Sequence, residues 1–258
     1  MRLIYMSAYI LLAAVIFAAC SPEPVMRLQQ DADDESEVTA YRGMEYLISD
    51  KDSSSAILAY YRHIEGRVIM DLEVMNFSDE TIRFEPANFT YVLHGEKFDL
   101  DRETGGGEWR TYKFAEGRAI DPEDRLLNID LDTSRAVARE RTSRAIDGVA
   151  FALYVANEVS AAGRETSDDR AYREARRTRD ALIRADRRDN FYRNVASMSD
   201  NRVYWETETL RTTDLMPGES IAGEISFPAN NDARIIEIIV HIGEDEHRFL
   251  YRQRLFNP

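Results

Sequence analysis

Cysteine is almost missing from this chain of 258 residues: Cys20 is the only one. A disulfide framework is therefore excluded, as is any metal site built from several thiolates. Lysine is nearly as scarce, with Lys51, Lys97 and Lys113 set against thirty arginines. Proline and glycine number only 7 and 12, which rules out collagen-like and low-complexity chains. No HExxH, GxSxG, GxGxxG or Walker-type phosphate loop occurs, so zincin, α/β-hydrolase, dinucleotide and P-loop chemistry have no basis here. Positive charge is also short. The 47 Asp and Glu outweigh 33 Lys and Arg, a net charge of -14 that argues against a general nucleic-acid binder.

What is present is a globular composition, 44% hydrophobic and 31% charged. The length suits one elaborated domain or two small ones. Arg2 is the only charged side chain before Glu23, and Leu3 to Ala19 is almost wholly apolar. About 20 apolar residues are needed to span a bilayer, so this run is marginal as a permanent anchor. A basic start, an apolar run and small residues at its end read instead as a secretory signal.

The run closes on Phe17-Ala18-Ala19-Cys20, followed by Ser21-Pro22. This resembles the lipobox of bacterial lipoproteins, with Phe17 where Leu is commoner. The resemblance implies a diacylglyceryl group on the Cys20 sulfur, cleavage after Ala19, and acylation of the new amino terminus. Each buried methylene contributes about 0.8 kcal/mol, and two or more chains anchor stably. The implied setting is extracytoplasmic: the bacterial cell envelope, at the outer membrane or periplasmic face. The implied partners are the membrane, through the anchor, and an envelope protein. The bland alternative makes Cys20 incidental in an uncleaved anchor or an ordinary signal peptide.

Residues 20–40 carry Pro22, Pro24 and the acids Asp31, Asp33, Asp34, Glu35 and Glu37, and are expected to form a flexible acidic tether. The folded part is expected over 41–258. From Ser55 to Leu100 the pattern has period two, with Val68, Met70, Leu72 and Val74 on one face. Asn76 to Asp79 is a turn signal, Ile82 and Phe84 point inward, and Pro86 ends that strand. Phe89, Tyr91 and Leu93 alternate next, and Gly95-Glu96 reads as a turn back into Phe98. In the block Arg202 to Phe256, Val203 and Trp205 read as the start of a strand. Met216 to Glu219 is a turn, Ile221, Gly223, Ile225 and Phe227 alternate, and Ile236, Ile238, Val240 and Ile242 make the most apolar face. Short strands without intervening helix inside each block favour an antiparallel β-sandwich.

Two stretches, Asn76 to Pro86 and Leu215 to Phe227 with its Pro217-Gly218, resemble the immunoglobulin-like, telokin-like domains common in bacterial lipoproteins. That resemblance implies a mainly β, immunoglobulin-like sandwich and transfers no catalytic residue. Between the blocks, at about 133–200, an α-helical hairpin insertion is expected. Its first helix would run from Ser143 to Ala162, with Ile146, Val149, Ala150, Leu153 and Asn157 on one face. The second would be capped near Ser167-Asp168-Asp169 and run to about Ser197. The segment Val149 to Val155 reads equally as a buried strand.

Charge is uneven. Residues 133–200 hold 14 Arg and 11 acids, and Arg173, Arg177, Arg184 and Arg188 fall near one helix face. The bland reading is a solvated face laced with pairs worth about 0.2–0.5 kcal/mol each. The sharper one makes these four arginines a docking surface for an acidic partner. Low lysine beside abundant acid also suits a salt-adapted surface.

Candidate chemistry is thin. His63 and His94 stand alone. His241 and His247 fall on opposite arms of a hairpin near Asp245 and Glu246, a geometry for weak metal binding that is more often plain surface. Asp99-x-Asp101-x-Glu103 opens like a calcium loop but lacks its glycine and closing Glu. Asp130 and Asp132 offer oxygens to a surface ion. Tyr60, Tyr61, Trp109, Tyr112 and Phe114 offer a groove for glycans or peptides, or are core. No catalytic residue, cofactor or metal is assigned. The expected function is noncatalytic binding or scaffolding on a lipid anchor, with no nucleic acid. The competing readings are an envelope enzyme using an unassigned Asp/Glu pair, and an accessory subunit of a transport or assembly complex docking through the Arg-rich helix.

Overall fold

The computed structural model describes residues 25–100, 107–161 and 167–256. They fall into two compact units, one formed by the chain up to Ile120 and from Leu210 onward, the other by Asp121–Thr209. Among the described residues no helix is long and apolar enough to cross a membrane.

Among the described residues the first unit holds twelve strands: β1 (Val25–Gln30), β2 (Glu37–Tyr41), β3 (Met44–Asp50), β4 (Ser54–Ile64), β5 (Arg67–Asn76), β6 (Ile82–Phe84), β7 (Thr90–Leu100), β8 (Gly107–Arg118), β9 (Thr213–Leu215), β10 (Ser220–Pro228), β11 (Ile235–Ile242) and β12 (Asp245–Phe256). One sheet has the order β1-β12-β11-β7-β8, the other β10-β5-β4-β3-β2, and β6 pairs with β9. Every described pairing is antiparallel. Alternation decides which face is buried: Met70, Leu72 and Val74 of β5 meet Ile236, Ile238 and Val240 of β11 in one core shared by both sheets. Two tyrosines stitch that core. Tyr251 Oη donates to the Leu58 carbonyl and Tyr60 Oη to the Met26 carbonyl, each at 2.9 Å and each crossing between sheets. Tight turns set the registers. Between β4 and β5, Glu65 and Gly66 both have positive φ (52° and 68°), the two-residue hairpin turn whose twist matches its strands.

The second unit is a pair of long helices, α1 (Pro122–Ala161) and α2 (Ser167–Thr207). They run antiparallel: Asp130 meets Arg202 at 2.9 Å, and Thr133 Oγ1 meets Met198 Sδ at 3.5 Å. The start of α1 is dictated locally. Asp121 Oδ1 accepts from the Glu123 amide at 2.9 Å, Pro122 takes the first helical position, and Glu123 and Asp124 lie in the first turn.

Several expectations are corrected. The segment 20–40 is not a tether where it is described, because β1 pairs with β12 over Val25 to Gln30 and buries Met26 and Leu28 in the core. The acids after it turn the chain instead of repelling it. Asp31 Oδ1 accepts from the Asp33 amide at 3.1 Å, and Asp34 Oδ1 from the Ser36 amide at 2.7 Å. Gly95-Glu96 is no turn; β7 runs straight through it, because the ring of Tyr112 on β8 covers the glycine. The helical unit is longer than 133–200 at both ends, and Val203 and Trp205 are helical. The apolar stripe of Ile146, Val149 and Leu153 is present on α1 but exposed, at 63%, 61% and 67%.

Candidate functional site

At one end of the first unit, polar side chains from both sheets converge on His247. Its residue is fully buried on β12, opposite Val240. Its Nε2 lies 2.9 Å from Ser54 Oγ and its Nδ1 3.0 Å from Ser49 Oγ. Ser54 Oγ in turn donates to Asp245 Oδ2 at 2.7 Å, and Ser53 Oγ donates to the same oxygen at 2.5 Å. The hairpin that delivers His247 and Asp245 is closed by Gly243 at φ 59°.

A carboxylate only accepts, so the single proton of Ser54 goes to Asp245, which leaves the Ser54 oxygen to accept from Nε2. At Nδ1 the ring meets the Ser49 hydroxyl, with the Ser49 backbone also in hydrogen-bond reach. Burial pushes the His247 pKa down, against the pull of Asp245 and of the Ser49 backbone, and so favours the neutral ring. Burial tends to raise the Asp245 pKa, but hydrogen bonds from Ser53 and Ser54 and the nearby imidazole hold it below its ordinary value.

The order Asp245–Ser54–His247–Ser49 differs from a hydrolytic triad. The carboxylate orients a serine rather than the imidazole, and the ring is held by hydroxyls at both nitrogens, Ser54 at Nε2 and Ser49 at Nδ1. Ser49 lies within β3 opposite Ala56, without the sharp turn that lifts a nucleophile toward substrate. What the chain of bonds does achieve is to tie β3 and β4 of one sheet to β12 of the other.

Beside this clasp lies a recess of about 460 Å³, lined by Ser53, Ser78, Glu80, Arg83, His241 and Glu244 among others. It is polar and open. Arg83 is engaged by Glu85 at 2.5 Å, while Asn88 donates to the same carboxylate at 2.6 Å.

Cys20 lies outside the described residues. Arg173 and Arg177 fall on the α2 backbone, but their side chains are likewise outside the described part. Arg184 and Arg188 line the seam between the helices together with Glu140, Asp147 and Tyr192, so these two cations face acids of α1. His241 and His247 do not form a pair. They are one strand position out of register and on opposite faces, His241 exposed and His247 buried, because His241 stands opposite Glu246. His94 is bound to Glu237 at 3.0 Å. Asp99 lies in β7 near Arg110 (3.7 Å), and the rest of the calcium-like loop lies outside the described residues. Asp130 and Asp132 are taken by Arg202 and Arg135. Tyr60 and Tyr61 are on β4 of one sheet, whereas Trp109, Tyr112 and Phe114 are on β8 of the other. Among the described residues no group of three or more His, Cys, Asp or Glu is placed to hold a metal ion.

One carboxylate pair does form. Asp71 and Glu224 stand opposite each other across β5 and β10, with Arg62 3.6 Å from Glu224. Burial and the Glu224 charge raise the Asp71 pKa. Neither residue lines the recess beside the clasp. Compared with family models, curated proteins and solved structures, the chain matches none.

Proposed function

We propose that the protein is a lipid-anchored, noncatalytic binding module of the bacterial cell envelope, an immunoglobulin-like sandwich acylated at Cys20. The lipobox-like Phe17-Ala18-Ala19-Cys20 supports the anchor. The two-layer antiparallel unit with one shared core supports the immunoglobulin-like reading. The observation that carries the noncatalytic reading is the saturation of His247. Both ring nitrogens are committed to internal hydroxyls, and the ring has no exposed surface. An imidazole so placed stiffens a fold and is closed to substrate. The output of such a molecule is then its surfaces, the polar recess among them.

Two measurements test this. Mass spectrometry of the membrane-extracted protein should find an acylated Cys20 as the first residue, and Cys20→Ala should release the chain from membranes; a free Cys20 thiol rejects the anchor. A fluorophosphonate probe should leave Ser49 and Ser54 unlabelled. Stoichiometric labelling of Ser49 that disappears in His247→Gln would make the protein a serine hydrolase instead.

A further inference from the structure

The first sheet loses its middle strand at one end. The row His94, Ile235, Arg252 and Gln29 crosses β7, β11, β12 and β1, and β11 starts there. Both β7 and β12 are antiparallel to β11, so both run on past it in one direction, and β1 begins at that same end. Period two then fixes what the overhang carries on the face away from the core. Two positions beyond the row, Arg254 stands opposite Arg27, both exposed. Four positions beyond it, Phe256 stands opposite Val25, and Phe98 of β7 opposite Trp109 of β8. Val25, Phe98, Trp109 and Phe256 are exposed by 50%, 48%, 68% and 54%. Like charges directly opposite each other cost stability, and among the described residues neither Arg27 nor Arg254 has a carboxylate partner. Glu96, level with them on β7, is held by Arg252 at 2.6 Å.

We propose that this end of the first unit rests on the bilayer: Val25, Phe98, Trp109 and Phe256 seat at the level of the headgroups, and Arg27 with Arg254 holds the phosphate of an anionic phospholipid. The choice of occupant rests on the reading of Cys20 as a lipid anchor. Cys20 precedes Val25 by a chain of about 17 Å at full extension, so its acyl chains would keep this end at the membrane surface. Strand register places the exposed aromatic rings and the facing arginines at that end. Aromatic rings with basic neighbours are the side chains that an interface favours. A phosphate between the two arginines offsets their mutual repulsion with charge-assisted hydrogen bonds. A body of net charge -14 is otherwise repelled by an anionic surface, which favours the orientation that turns this cationic corner toward it. A second copy of the chain would bring two more arginines to the same contact.

The test uses the protein as extracted from membranes, its amino terminus checked by mass spectrometry, on vesicles whose phospholipids are brominated near the headgroup end of the acyl chains. Bromine quenches tryptophan on contact, and the chain has two tryptophans, Trp109 and the buried Trp205. Phosphatidylglycerol vesicles should quench the Trp109 emission, and the quenched share should be lost in Trp109→Phe. Quenching should be stronger by about twofold or more than on phosphatidylcholine vesicles, and Arg27→Gln/Arg254→Gln should erase that difference. All three substitutions are at exposed positions, and far-UV circular dichroism checks the fold; should one fail to fold, quenching of the unaltered protein in the two lipids decides. An acylated Cys20 with Trp109 unquenched leaves the anchor standing and overturns the docking face. An unmodified Cys20 with Trp109 still quenched rejects the anchor and keeps the docking face. Equal quenching in both lipids, or a lipid preference that survives the arginine exchange, overturns the role of Arg27 and Arg254. Self-association that shields Trp109 from brominated lipid overturns the proposal as a whole.

Discussion

His247 enters the folded state neutral, and that makes the clasp sensitive to acid. Its pKa in the fold lies below the unfolded value near 6.5. Between those two values the unfolded chain binds more protons, so stability falls as the pH drops from about 6.5 toward the folded pKa. The depressed Asp245 pKa adds a second loss at lower pH, as that carboxylate protonates. Urea midpoints measured from neutral pH to the acid range should decline in the histidine window, and the decline should be absent in His247→Gln. Removing Ser54 should cost about 1–3 kcal/mol, because the buried Nε2 of His247 loses its partner, while Asp245 keeps Ser53. Asp31 behaves alike. Its side chain has no exposed surface, it sits 2.8 Å from Arg252, and its backbone amide donates to the Leu250 carbonyl at 2.8 Å. Asp31→Ala is expected to cost about 2–3 kcal/mol in chemical denaturation, where a solvated tether residue would cost nothing.

At the level of elements, three glycines in β7 and β8 serve as seats for aromatic rings. A Cβ on Gly117 would lie 2.7 Å from the Tyr91 ring, and one on Gly95 2.7 Å from Tyr112. Tyr91 has little room to yield, because its other side packs edge-on against Phe227 at 5.7 Å. Gly117→Ala should therefore lower stability by about 1–3 kcal/mol, the usual cost of overfilling a packed site, and calorimetry on the isolated variant checks it. Reading Gly95-Glu96 as a turn fails for the same reason: glycine in a strand marks a close approach as often as a bend. The start of the helical unit is legible in the sequence, well before residue 133. Asp121-Pro122-Glu123-Asp124 is a start signal written in adjacent residues, whereas the strand reading of Val203 and Trp205 rests on two apolar positions that suit either period.

For the whole molecule, the net charge of -14 leaves uncompensated repulsion across the surface. Screening should relieve it, so the melting temperature is expected to rise from low to molar NaCl; a salt-independent value would mean that pairs such as Arg248 with Glu237 and Glu246 already balance the field locally. The early start of β1 has a second consequence. Only Ser21 to Pro24 separate Cys20 from Val25, about 17 Å at full extension. With Cys20 acylated, the first strand is held close to the bilayer.

By itself the sequence determined the features that depend on neighbours along the chain. Period-two alternation placed β5, β10 and β11. The Pro217-Gly218 turn followed from residue type, and helical spacing showed that α-structure interrupts the strands. It also carried the lipobox-like tetrapeptide and the absence of nucleotide and zincin motifs. Only the tertiary structure decided that residues 25–30 are a sheet edge, that His241 and His247 face apart, and that Ser49, Ser54, Asp245 and His247 meet. Strand pairing between residues some two hundred positions apart depends on which sheet faces which, and no local pattern encodes that. The exposed stripe of α1 shows the same limit from the other side. Spacing predicted an apolar face correctly, but whether a partner covers it is a property of the assembled surfaces.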